Sequence, residues 1–203
     1  MKEYPSIARS DKAPVGEQCV AFYKYDGSNL RFEWSMNQGW YKFGTRHRLF
    51  DKTDSDYGSA VPLFMGKIAP QLDEVFKREF KKIKMMTVFM EFFGPSSFAG
   101  QHLLTEEKEL RLIDVCPYKK CMVNPHDFIK MFGHLDFSAE VIYKGVLTEQ
   151  FINDVRSGKY PVVEGVVCKG GDRHKLWMAK IKTDSYRQRL KEIFKNGWQF
   201  YWE

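Results

Sequence analysis

Lys24 sits in the setting most suited to covalent chemistry in this chain. It closes the mostly apolar run CVAFYK and is followed by Tyr25-Asp26-Gly27. A lysine amine with its ordinary pKa of about 10.4 is protonated at neutral pH and does not attack. Burial or neighbouring cations favour the neutral, nucleophilic form. Lys24 is therefore either a surface lysine beside a turn or a nucleophile. Lys180 and Lys182 stand two residues apart in WMAKIKT, a spacing that puts both on one side of a strand. They make either the charged outer face of a hairpin or a pair of cations for phosphates. Glu91 interrupts the apolar run VFMEFFG and Glu164 the run VVEGVVCK. A buried carboxylate is costly unless paired, so each meets a Lys or Arg at a strand end or serves a site. Arg46 closes FGTR, and a guanidinium suits bidentate phosphate binding. Cys116, Cys121 and His126 suggest a metal, but they lack a fourth ligand and a standard zinc spacing.

The elements that position these residues follow from periodicity and punctuation. Residues 18–43 give three strand-like runs joined by DGSN and MNQG. Asp26-Gly27 is a hairpin signal, because glycine tolerates positive φ, and predicts that the strands on either side pair. Residues 56–83 read as helical, with Leu72, Val75, Phe76 and Phe80 on one face. Pro62 and Pro70 predict two helices or a kink. Lys77, Arg78, Lys81, Lys82 and Lys84 then make a basic run, either a solvated helix end or a track for RNA. MMTVFMEFF (85–93) is apolar enough for a strand buried on both faces, and LRLIDVCPY (110–118) is another strand. NPHDFIKMFG reads as a helix with Asn124 as its cap, and TEQFINDVRS as one capped by Thr148. Residues 162–169 and 175–182 predict an antiparallel hairpin turning at GGDRH. SYRQRLKEIFKN gives a last helix ending at Gly197, followed by the aromatic tail WQFYW. That tail is a packed terminus, a base-stacking platform or a partner contact.

Length and composition bound the rest. The chain has 203 residues, enough for a single well-buried domain spanning 1–203. Its 43% apolar and 29% charged content is that of a globular protein. No apolar run approaches a membrane span, and MKEYPSIARSDK has no signal-peptide core. The expectation is a cytoplasmic protein with reduced thiols at Cys19, Cys116, Cys121 and Cys168. Net charge is +6, a modest excess compatible with a polyanionic partner. The pattern is α+β: antiparallel sheets flanked by helices.

KYDG with Ser28, Asn29 and Arg31 resembles the nucleophile motif of the covalent nucleotidyltransferases, the superfamily of ATP-dependent RNA and DNA ligases and mRNA capping enzymes. FGTR (43–46), VFMEFFG (88–94), VVEGVVCK (162–169) and WMAKIKT (177–183) are similar to four further motifs of that superfamily, in its order. EFFGPSSFAGQH leans toward the ATP-dependent RNA ligase branch.

The resemblance implies a nucleotidyltransferase (ATP-grasp-like ligase adenylation) domain whose motifs line a nucleotide pocket between two sheets. In it Lys24 forms a phosphoramidate with AMP from ATP, and Asp26 and Gly27 shape its turn. Lys180 and Lys182 hold phosphates and disfavour protonation of Lys24. Glu91 takes the ribose hydroxyls, Arg46 contacts phosphate, and Glu164 lies near a catalytic Mg²⁺ (or Mn²⁺). Asn29 contributes there or caps the turn. Two departures stand out. Tyr23 replaces a carboxylate that several relatives carry, and LRLID offers only Leu112 or Ile113 where relatives place an aromatic ring under the adenine. The implied activity joins 3′-OH and 5′-phosphate ends of RNA, at a nicked duplex or broken strand. A partner protein for substrate binding, and a phage origin with action in a host cytoplasm, fit the same family. DNA ligase and capping guanylyltransferase are the alternatives, together with a catalytically silent nucleic-acid-binding module. About 20 residues follow WMAKIKT, which predicts no OB domain and disfavours the first two of these.

Overall fold

The computed structural model describes residues 3–95, 97–98, 102–172 and 175–202. Parts of EFFGPSSFAGQH and of the GGDRH turn lie outside the described residues. In chain order the elements are β1 (Ala8–Arg9), β2 (Gln18–Lys24), β3 (Ser28–Ser35), β4 (Gly39–Gly44), β5 (Leu49–Phe50), α1 (Ala60–Leu63), α2 (Ala69–Glu79), β6 (Met85–Phe93), β7 (Glu109–Pro117), α3 (Pro125–Phe132), β8 (Val141–Val146), α4 (Glu149–Arg156), β9 (Gly165–Gly170), β10 (Trp177–Lys182) and α5 (Asp184–Phe194). They form two compact units: Gly27–Ala139 with the chain up to Tyr4, and Pro5–Asp26 with Glu140–Glu203. No helix among the described residues is long and apolar enough to cross a membrane.

The first unit is a five-stranded sheet in the order β5-β4-β3-β6-β7, antiparallel throughout. Its core face carries Leu30, Phe32, Val88, Met90, Leu110 and Leu112, all buried. Helical residues cover that face. Phe64 stacks on Phe32 with ring centroids 3.9 Å apart, and Trp34 meets Phe76 edge-on at 5.5 Å. The kink expected from Pro62 and Pro70 is a wide π turn, Phe64–Ile68, between α1 and α2, and Pro70 opens α2. Leu72, Val75 and Phe76 are buried, and Phe80 stacks on Phe132. The basic run at the end of α2 and beyond it is exposed, and Lys77 and Arg78 pair with Glu74 and Glu79. Asn124 caps α3, accepting from the Asp127 amide at 3.0 Å.

Strand β6 has the predicted bounds, but its burial is double-sided only at its middle. Met86, Val88, Met90 and Phe92 are buried on the core face; on the other face Phe89 is buried against Tyr4, while Met85, Thr87, Glu91 and Phe93 are half-buried. Away from Phe89 the alternation is that of an antiparallel strand with one face packed on the core.

The second unit is a five-stranded sheet in the order β1-β10-β9-β2-β8. Its core gathers Ala21, Leu147, Phe151, Ile152, Val155, Val166, Cys168 and Ile181, with α4 packed against the sheet. Thr148 caps α4 and Thr183 caps α5, each accepting from the amide three residues on. The segment before β2 contributes β1, which runs parallel to β10. Strand β8 had no counterpart in the periodicity reading. Helix α5 stops at Phe194, short of Gly197, and a 3-10 turn carries Lys195–Tyr201.

The hairpin predicted at Asp26-Gly27 does not form. β2 pairs with β8 and β9, whereas β3 pairs with β4 and β6. Gly27 is not among the residues with positive φ. A Cβ there would run into the Phe92 carbonyl, so this glycine serves close passage beside β6 rather than a left-handed turn.

Candidate active site

In the second unit β9 lies between β2 and β10, and the register sets three residues in one row. Lys24 pairs with Gly165, and Gly165 pairs with Lys182. Residues opposite one another in an antiparallel ladder project to the same face, so the two lysines flank the one position in the row that has no side chain. Gly165 is obligatory there: its φ is +148°, and a Cβ would strike the Ile181 carbonyl.

Glu164 immediately precedes this row and is 3% exposed. β9 starts at Gly165 rather than at Val162. Short anchors hold the approach: the Thr183 amide donates to the Glu164 carbonyl at 3.0 Å, and the Thr183 hydroxyl to the Val163 carbonyl at 2.8 Å. Glu164 Oε1 then lies 2.9 Å from Lys24 Nζ and 3.3 Å from Lys182 Nζ. A carboxylate paired with lysine at a strand end, the first of the two readings open for Glu164, is thus realised with the two candidate lysines themselves as partners.

Lys182 is 5% exposed. Its ammonium also donates to the Tyr201 carbonyl at 2.8 Å and lies 5.0 Å from the centre of the Tyr186 ring. Burial pushes its pKa below the ordinary lysine value; Lys24 and Lys180 add to the fall and Glu164 opposes it. Lys180 is half-buried on the same strand. Asp26 is buried and accepts from the Tyr186 hydroxyl at 3.0 Å. Burial first, then the charges of Glu164 and Asp26, hold that phenol well above its ordinary pKa. Tyr186 is the residue that sequence reasoning missed; its only signal was its place one turn into a helix opened by Thr183-Asp184. Tyr23 accepts from the Val163 amide at 3.2 Å, which ties β2 to the segment entering β9.

The first unit holds the remaining candidates. Glu91 is half-buried on the face of β6 away from the core, in register with Asn29 and Arg111. Arg46 is exposed on the turn closed by Thr45 and Arg48. Both act electrostatically on the buried Tyr4 hydroxyl, which donates to Asp114 Oδ2 at 2.5 Å. The glycine of FGTR faces Arg31: a Cβ on Gly44 would come within 2.9 Å of the guanidinium. Leu112 is fully buried in the core, while Ile113 is the extra residue of a bulge opposite Phe89 and Met90. Of the two, only Ile113 lies off the core, and it is half-buried.

Among the described residues, no group of three or more His, Cys, Asp or Glu side chains is placed to hold a metal. The Cys116 thiol donates to the carbonyls of Pro117 and Lys120. One carboxylate beside a cationic cluster still fits magnesium or manganese, since such ions are commonly held by one or two carboxylates, water and substrate phosphates.

No family model matches the chain, and no curated protein does. Solved structures do. An archaeal ATP-dependent RNA ligase superposes with a TM-score of 0.67 at 13% identity, over 96% of this chain and 52% of its own. A Naegleria gruberi RNA ligase mutant with ATP and Mn gives 0.66 at 16% identity, over 95% and 59%. A putative ATP-dependent DNA ligase from Aquifex aeolicus gives 0.61 at 14%, over 97% and 53%. The chain thus spans between half and three-fifths of the length of these proteins, and it shares their α+β fold.

Proposed function

We propose that residues 1–203 act as an adenylation domain of an ATP-dependent RNA ligase. The observation that carries this is the row Lys24–Gly165–Lys182 with Glu164 bridging both ammonium groups. Neutral Lys24 Nζ attacks the α-phosphorus of ATP. The P–N bond forms, the bond from the α-phosphorus to the bridging oxygen breaks, and pyrophosphate leaves with the electron pair. Glu164, 2.9 Å from the amine, orients it and is placed to take its proton. Lys180 and Lys182 compensate the charge on the phosphates, and their positive field favours the neutral form of Lys24. Asp26, fixed by Tyr186, holds the chain just after the nucleophile. Glu91 and Arg46 are taken as ribose- and phosphate-binding residues on their motifs alone. A divalent ion, expected as Mg²⁺ with Glu164 as its protein ligand, would supply further charge compensation on the phosphates. The adenylate is then passed to an RNA 5′-phosphate and displaced by a 3′-OH.

RNA is preferred over DNA as substrate on two supports: the similarity of EFFGPSSFAGQH to the RNA ligase branch, and the RNA ligases among the structural neighbours. Incubation of the protein with ATP and Mg²⁺, followed by intact mass measurement, tests the first step. Addition of one AMP to wild type and none to Lys24→Ala supports the proposal; addition to both refutes the assignment of Lys24. Nicked duplexes with ribose or deoxyribose at the 3′ side test the second. Equal sealing of all-DNA nicks would favour a DNA ligase.

A further inference from the structure

A separate cavity opens in the first unit, at the Glu33 end of its sheet. It measures about 450 Å³ and is lined by Glu33, Tyr41, Lys42, Thr87, Tyr118 and Lys119, among others. None of these belongs to the row of Lys24, Gly165 and Lys182. Its volume falls in the range of small-molecule sites, about 300–1,000 Å³.

The floor of this cavity is a carboxylate held only loosely. Glu33 is 8% exposed. Its Oε1 lies 3.6 Å from Arg31 Nε and has no hydrogen-bond partner, and its Oε2 lies 3.7 Å from Lys42 Nζ and 3.4 Å from the Tyr41 hydroxyl. Charge-assisted contacts ordinarily close to about 2.7–2.9 Å, and buried acceptors are ordinarily satisfied. Three cationic or hydroxyl neighbours thus surround Glu33 at long range, and none takes its full accepting capacity. Oε1 is buried against Arg31, so the oxygen a ligand meets is Oε2, beside the cavity-lining Tyr41 and Lys42, and a ligand that suits it brings an N–H donor.

The walls state the rest of the ligand. Tyr41 and Tyr118 offer rings, and Tyr118 is 56% exposed. Each carries a lysine over its face: Lys42 at 5.3 Å from the Tyr41 centroid and Lys119 at 5.6 Å from that of Tyr118. Lys119 is held in the left-handed region, φ 58°, on a turn closed by the Lys120 amide and the Pro117 carbonyl at 3.0 Å. Burial, then Glu33 and Tyr118, keep the Tyr41 hydroxyl neutral beyond its ordinary pKa, so it remains a donor to the carboxylate. Acceptor floor, aromatic walls and cationic rim together describe a planar, amine-bearing ring attached to an anion.

We propose that this cavity binds one nucleotide whose base bears an exocyclic amine, with the amine donating to Glu33, the base against Tyr41 and Tyr118, and the phosphate on Lys42 and Lys119. Stacking on tyrosine and backbone capture by lysine are the usual terms of single-strand recognition. The nucleotide comes either free or as an unpaired residue of an RNA strand. The inference rests on this cavity alone and does not require adenylation at Lys24.

Met85 and Met86 line the same cavity and give local reporters. The full chain, labelled at its methionine methyls, is titrated with CMP, with UMP, and with a short RNA carrying a single unpaired cytidine. CMP and UMP differ at the ring position where an amine replaces a carbonyl. The expected result is saturable shifts of the Met85 and Met86 signals with CMP, and binding of UMP weaker by about tenfold or more, the cost of losing a hydrogen bond to a charged acceptor. The RNA binding tighter than CMP would identify the strand as the source; CMP binding equally well would identify the free nucleotide. Lys42→Gln with Lys119→Gln should weaken every ligand, and Glu33→Gln should erase the preference for CMP. Absence of shifts at both methionines with all ligands would overturn the proposal. So would equal binding of CMP and UMP to the wild-type chain. Should Glu33→Gln fail to fold, the lysine variants and the wild-type CMP/UMP comparison still decide.

Discussion

Lys24 Nζ and Lys182 Nζ share one oxygen, Glu164 Oε1, at 2.9 and 3.3 Å. Loss of that charge leaves two ammonium groups facing one another across Gly165. Glu164→Gln preserves shape and should lower the rate of self-adenylation by about a hundredfold or more. It should also lower the unfolding midpoint, because a buried ion pair that loses one partner is strongly destabilised. Single-turnover mass spectrometry and a thermal melt on the same sample check both. Lys24→Arg keeps a cation beside Glu164, so it should hold stability near wild type while adding no AMP.

The depressed pKa of Lys182 makes a distinct pH signature. Between its lowered value and the ordinary 10.5, the folded chain binds fewer protons at this site than the unfolded chain. Stability therefore climbs with pH through that window; below it, Lys182 is charged in both states and the full desolvation cost is carried. Lys182→Met should flatten this rise in a series of urea unfolding midpoints taken up to pH 10.5. An unchanged slope would show that the charge is not buried as described.

Tyr186 works in the opposite sense. Its raised pKa contributes stability that is complete below the ordinary value of 10.0 and is lost as pH climbs beyond it toward the folded value. Tyr186→Phe removes the donor to Asp26, which is 7% exposed. The expected cost is about 1–3 kcal/mol at neutral pH, with less loss of stability above pH 10 than in wild type. Adenylation should slow without disappearing, since Tyr186 positions Asp26 and is not itself part of the transfer.

Gly165→Ala should be among the most damaging single-methyl additions in the chain. It places a side chain at φ +148° and against the Ile181 carbonyl. Strain of this kind costs about 1–3 kcal/mol, and the displaced backbone adds to it. As a comparison, Thr148→Ala removes only the cap of α4. It should cost about 0.5–2 kcal/mol while leaving adenylation per folded molecule unchanged. If both variants lose activity in proportion to stability alone, the row has no special part in the reaction.

Local signals carried much of this structure. β6 is bounded by its own apolar run, and α3, α4 and α5 begin at the Asn124, Thr148 and Thr183 caps that the residue types announce. Long-range pairing was not legible. Asp26-Gly27 looks like a hairpin turn because a dipeptide reports only local backbone preference, whereas the partners of β2 are fixed by strands far along the chain. The motif residues Lys24, Glu164 and Lys182 could be picked out by type, but their common oxygen follows from register, which no spacing within one motif encodes. Tyr186 and the cavity over Glu33 were hidden for the same reason: each depends on side chains brought together from separate elements.

The pairing of Lys24 with Gly165 also orders events during synthesis. β2 leaves the ribosome early, as the apolar run QCVAFYK, and its ladder partners β8 and β9 emerge only after the whole of Gly27–Ala139 has been made. That intervening unit holds a complete sheet of its own and can close while β2 still waits. The strand that ends in Lys24 thus waits for most of synthesis with unpaired backbone on both edges, and β1 before it waits longer still, for β10. Such high-contact-order closures are slow and aggregation-exposed. A nascent or truncated chain stopping short of β8 would carry Lys24 on a strand with no sheet to hold it.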